Sequence, residues 1–84
     1  MDDTVSADER ERWQEFLEVK REFLTTEDLA LKLRRPVGTI RNWRMRGYGP
    51  CGFKAGNTVL YRREVVDEWI AEQEKAEADR RASA

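Results

Sequence analysis

The stretch RNWRMRGYGP, residues 41–50, sets Arg41, Arg44 and Arg46 around Trp43 and contains no acid. It lies inside a longer run, residues 34–63, that holds eight bases (Arg34, Arg35, Arg41, Arg44, Arg46, Lys54, Arg62 and Arg63) and neither Asp nor Glu. Such a set is suited to recognising a polyanion, because guanidinium forks and ammonium groups donate charged hydrogen bonds to phosphate oxygens. The flanks have the opposite sign. Residues 1–22 carry eight acids against four bases, residues 23–33 two against one, and residues 64–84 seven against three. The formal net charge of -1 therefore conceals a segment of +8 between acidic ends. Phosphate contacts are local, so the segment rather than the total decides what the chain attracts. A solvated basic surface is the competing account of the same residues.

Other chemistries are excluded by what the sequence lacks. There is no histidine, the commonest zinc ligand and general base. The one cysteine, Cys51, cannot form an internal disulfide, and in a Pro-Gly loop without a histidine it is a poor nucleophile. These absences predict a protein that is not an enzyme and takes no cofactor or metal. No run of 18 apolar residues exists and MDDTVSADERERW is acidic where a signal peptide is basic, so the expectation is a soluble cytoplasmic protein without a membrane partner. Eighty-four residues suit one small domain that buries only roughly 60% of its unfolded surface. The core is expected to come from Trp13, Phe16, Phe23, Trp43, Phe53, Tyr61 and Trp69.

The elements that must position the basic segment follow from spacing. Ser6 and Glu9 have capping-box spacing, and Trp13, Phe16, Leu17, Phe23 and Leu24 fall near a helical period, which predicts an amphipathic helix over 7–21. In Thr25-Thr26-Glu27-Asp28 a threonine caps a second helix, over about 26–33, with Asp28 answering and Leu29, Ala30 and Leu33 on one side. Pro36 stops that helix and suits the first turn of another, over 37–46, in which Ile40 and Trp43 repeat at i, i+3 and Gly47 ends the pattern. Two short helices joined by about three residues have helix-turn-helix spacing. Beyond GYGPCG the period changes: Phe53-Lys54 and Val59 to Arg62 read as strands around a Gly56-Asn57 turn, a two-stranded wing that must lean on the helices. Val65, Val66, Trp69 and Ile70 predict a last helix over 63 to about 75, with the polar tail extending it and fraying.

FLTTEDLALKLRRPVGTIRNWRMRGYGP, the glycine-containing hairpin after it, and LYRREVVDEWI resemble the small excisionase (recombination directionality factor) and AlpA-like proteins of phages and their bacterial hosts, within the MerR-like winged-helix group. The resemblance covers about residues 23–71. It implies a mainly helical fold with a small β-hairpin, a winged helix-turn-helix over 23–73; outside it, spacing and composition give an acidic extension with its own helix over 1–22 and a polar tail or helix extension over 74–84. Members often carry a small polar cap where this chain has Pro36. The resemblance also implies that the second helix of the motif enters the major groove of double-stranded DNA. With Ile40 and Trp43 inward, the outward set is Val37, Gly38, Thr39, Arg41, Asn42 and, towards the end, Arg44 or Arg46. Arginine pairs bidentately with guanine and asparagine with adenine, so Arg41 and Asn42 are the expected base readers; Thr39 suits a thymine methyl or phosphate, and Gly38 a close backbone approach. Arg34, Arg35, Arg44 and Arg46 are expected on phosphate, and Lys54, Asn57, Thr58 and Arg62 on the wing contact.

An excisionase would bind repeated sites in attachment DNA, bend it and direct an integrase-type recombinase towards excision, with cooperative self-association on DNA supplying affinity. A small MerR/AlpA-like transcription regulator is the alternative within that resemblance. An adaptor whose acidic helices bind a protein partner is the alternative outside it.

Overall fold

The computed structural model describes residues 6–83. Thr25 is its pivot. It ends a short strand, β1 (Phe23–Thr25), and caps the helix that follows, α2 (Thr26–Leu33). Its Oγ1 accepts from the Asp28 N–H at 3.1 Å while its own N–H donates to Asp28 Oδ2 at 3.0 Å. This reciprocal box fixes the start of α2 where spacing placed it. Before β1 lies α1 (Ala7–Glu22), whose N-cap Ser6 accepts from the Glu9 N–H at 3.2 Å.

Arg34 closes α2 in the left-handed region (φ 55, ψ 48), with its N–H directed at the Ala30 and Leu31 carbonyls and the Arg35 N–H donating to Ala30 O at 2.9 Å. It is the one positive-φ residue other than glycine among those described. A side chain there costs about 1–2 kcal/mol. The turn then feeds α3 (Val37–Met45), which ends through Arg46 into Gly47 at φ 70, as the glycine predicted. Strands β2 (Gly52–Ala55) and β3 (Thr58–Arg62) form the hairpin, and β3 runs directly into α4 (Arg63–Ser83).

The sheet has one strand more than the expected hairpin. Its order is β1-β3-β2, all antiparallel, with Leu24 opposite Tyr61 on one side and Gly52 opposite Tyr61 on the other. Phe23, Leu24 and Thr25 suit a pleated surface, and β3 has a second edge to satisfy. A marginal two-stranded ribbon becomes a small sheet with Tyr61 at its centre. A Cβ on Gly52 would meet the Tyr61 ring at 2.7 Å, so the absent side chain is what lets the ring lie across the strand.

The buried core is Leu29, Ala30, Ile40, Tyr61 and Val66, with Leu24, Leu33, Val37, Trp43, Val59 and Ile70 packed around it. This corrects the expected aromatic core: of the seven rings, Tyr61 alone is fully buried. Trp43 and Trp69 are half-buried, with centroids 5.7 Å apart, and Tyr48 stands edge-on to both, a three-ring cluster on the flank of the core. Phe53 is exposed and meets half-buried Phe23 edge-on at 5.9 Å. Trp13 (61% exposed) and Phe16 (47%) stack on each other on α1. The reason is one of volume: three helices closing over a three-stranded sheet leave room for aliphatic side chains and one flat ring. Helical spacing in α1 identified a helix but not what faces it.

Helix α4 continues without a break through Ser83, the polar tail extending it beyond residue 75 as the sequence suggested. Glu77 pairs with Arg80 and Arg81, and Ser83 Oγ donates to Asp79 O, so local interactions support the extra turns. Asp67 forms ion pairs with both Lys32 (3.4 Å) and, at i, i+4, Arg63 (3.8 Å), tying α2 to the base of α4.

Candidate nucleic-acid interface

Helix α3 carries the site. Its N-cap is Pro36, which offers no side-chain acceptor; the proline carbonyl accepts from Thr39 N–H (3.0 Å) and more weakly from Ile40 N–H (3.4 Å). No acid stands in the first turn. The first amides and the positive end of the helix dipole therefore face outward without a side-chain counterpart. One face of α3 is held by Val37, Ile40 and Trp43 at three-residue spacing. Val37 was expected to face outward; it continues this stripe onto the core instead. The exposed face consists of Gly38, Arg41, Asn42 and Met45, with Thr39 half-buried beside it. A Cβ added to Gly38 would meet nothing within 4 Å, so the protein's own packing does not require a glycine there.

The turn and the hairpin complete the surface. Arg34 and Arg35 lie exposed between α2 and α3, and Arg44 and Arg46 exposed at the far end of α3. Lys54 is on β2, Asn57 in the hairpin turn and Thr58 at the start of β3, all exposed. A groove lined by Thr26, Glu27, Arg41, Asn57, Thr58 and Val59 joins the outward face of α3 to the hairpin tip. Arg41, Asn57 and Thr58, far apart in sequence, are thus brought together. Arg62 is not among them: at the other end of β3 its guanidinium lies 5.2 Å over the Phe23 ring and 3.9 Å from Glu22 of α1.

Electrostatics divide the eight bases of the acid-free segment. Arg41, Arg62 and Arg63 have carboxylate partners; Arg34, Arg35, Arg44, Arg46 and Lys54 have none among the described residues. Arg44 also acts inward, its charge pulling the Tyr61 phenol down while burial, the larger effect, pushes it above its usual 10.0. Two residues of this surface escaped the sequence reading. Met45, 86% exposed, follows Arg41 by one helical turn, and its only sequence signal was an apolar residue off the 37-40-43 stripe. Glu27, whose Oε1 lies 3.7 Å from Arg41 Nη2, was hidden by its neighbour Asp28, which supplied the visible capping signal. Among the described residues no group of His, Cys, Asp or Glu could hold a metal, and no helix is long and apolar enough to cross a membrane.

Two helices joined by a tight turn, the second presented beside a β-hairpin that the sheet braces from behind, define a winged helix-turn-helix. A helix-turn-helix domain family matches residues 23–74, and the chain belongs to that family, which includes excisionase and AlpA-like DNA-binding proteins. Membership makes it a DNA-binding protein. The match begins at β1 and leaves α1 outside it. Comparison with curated proteins and with solved structures finds no match.

Proposed function

We propose that α3 lies in the major groove of duplex DNA with the hairpin on the adjacent backbone, and that the chain acts as an excisionase. It binds repeated sites in attachment DNA, bends that DNA and helps a site-specific recombinase towards excision. The observation that carries the reading is the surface formed by α3, the preceding turn and the hairpin, where five bases have no carboxylate partner among the described residues and a helix N-terminus has no side-chain cap. Helix N-termini and unpaired guanidinium groups are sites that phosphate fills.

Within that surface the roles divide. Arg41 and Asn42 read base edges; Thr39 meets a thymine methyl or phosphate; and Gly38, open on its outer side, allows the helix backbone close to the duplex. Arg34, Arg35, Arg44 and Arg46 grip phosphate, and Lys54, Asn57 and Thr58 make the wing contact. Arg62 joins them only where DNA reaches past the hairpin towards α1. Neighbouring copies bound in tandem add affinity to so small an interface. The protein works in the cytoplasm of a bacterial host, on nucleoid DNA.

A gel-shift and bending assay on prophage attachment DNA tests the proposal. Successive shifted bands and a bent duplex are expected, with affinity falling steeply as salt rises. Attachment DNA bound no better than a random duplex, or bound without a bend, removes the architectural role. Binding to a promoter duplex without bending assigns the same surface to transcription control.

A further inference from the structure

Adjacent acids in the first turn of α2 have different employment. Asp28 is fixed by its two bonds to Thr25, whereas Glu27 leaves α2 and places Oε1 3.7 Å from Arg41 Nη2. In the groove between α3 and the hairpin, Glu27 is the one acid and Arg41 the one base. Both are well exposed, 63% and 67%, and an exposed pair of this kind contributes little to folding. Its consequence lies in the groove. Around it the bases suited to phosphate have no carboxylate partner among the described residues, while the arginine on the outward face of α3 does.

We infer that Glu27 is a specificity-determining residue that positions Arg41, an assignment that rests on the DNA-binding reading above. The carboxylate stands 3.7 Å from one terminal nitrogen of Arg41, Nη2, and no carboxylate among the described residues stands beside Nη1 or Nε. A guanine edge presents two neutral acceptors to those donors. A phosphate drawn to the same arginine meets the Glu27 charge a few ångströms away, and like charges at that range repel. Glu27 thus penalises Arg41 for settling on backbone at an arbitrary sequence and leaves it available to a guanine. Without Glu27, the arginine becomes one more phosphate grip: binding to random DNA tightens and discrimination falls.

A preferred duplex is first selected from a randomised pool with the whole wild-type chain. Affinities for that duplex and for a random one are then measured by fluorescence anisotropy at fixed salt for wild type, E27Q, E27D, R41A and E27Q/R41A. Glu72→Gln, on the exposed outer part of α4, makes the same charge change elsewhere. E27Q is expected to raise random-duplex affinity by about 2- to 5-fold over Glu72→Gln and to lower the preference for the selected duplex by a similar factor. E27D keeps the charge but draws it back from the guanidinium, and should fall between wild type and E27Q. In the R41A background E27Q should do no more than Glu72→Gln. Equal effects of E27Q and Glu72→Gln, or an E27Q effect that survives R41A, each reduce Glu27 to a general negative charge and overturn the assignment. A selection that enriches no sequence with the wild-type chain shows instead that sequence-specific binding itself has failed, before any substitution is made.

Discussion

Helices α2 and α3 are of nearly equal length, eight and nine residues, and lie one turn apart in the chain, yet they begin in opposite ways. Helix α2 starts on a threonine whose side chain and backbone are both engaged by Asp28, with acids in its first turn and Leu29 and Ala30 buried beneath. Helix α3 starts on a proline, has no acid in its first turn, and buries Ile40 alone among its residues. The first is closed at its positive end and committed to the core; the second is open at that end and committed to the surface. Substitutions at the capped start and on the buried side of α2 should therefore be felt as stability, and those on the open face of α3, with Glu27 across the groove from it, as binding.

The largest expected effect is on the closed helix. Leu29 is fully buried, and Leu29→Ala should lower unfolding free energy by about 2–5 kcal/mol in chemical denaturation. Next come Arg41→Ala and Asn42→Ala, each costing about 1–3 kcal/mol on the preferred duplex and relaxing specificity there, while Arg44→Ala or Lys54→Ala weakens all duplexes alike and flattens the salt slope. Equal losses on preferred and random DNA for Arg41 and Asn42 would place the reading face elsewhere on α3. The two helix starts can then be exchanged. Thr25→Ala should destabilise by about 1 kcal/mol in thermal melts with DNA preference intact. Pro36→Asp, which closes α3 with a carboxylate, should leave the fold standing but weaken binding to every duplex by about 1 kcal/mol. The smallest effect is expected at the turn between them. Arg34→Gly relieves the left-handed backbone, so the unfolding free energy read from melts should rise by a few tenths to about 1 kcal/mol while affinity for any duplex drops.

Much of this division was legible in the sequence, because it rests on local rules. The Thr25 to Asp28 spacing, Pro36 and Gly47 marked the ends of α2 and α3 to within a residue, and i, i+3 spacing found Ile40 and Trp43 on the inner face. Partnerships across the fold were not legible. That Phe23 to Thr25 form a strand depends on the free edge of β3, thirty-odd residues away in the chain. That Trp13 and Phe16 stay exposed depends on which surface α1 meets, and an amphipathic pattern does not name its partner. The basic character of the site was plain from charge counts alone. Its one acid, Glu27, belongs to a different helix, and only the crossing of α2 and α3 brings it to Arg41.

Thr25 does two jobs with one residue, pairing with Leu60 of β3 and capping α2. No flexible linker separates the central strand of the wing from the helix that carries the turn into α3. If α3 and the wing hold a duplex as proposed, they do so like the jaws of a fixed-gauge caliper rather than two fingers on a hinge, and a duplex whose local width departs from that gauge would itself bear the cost of deforming.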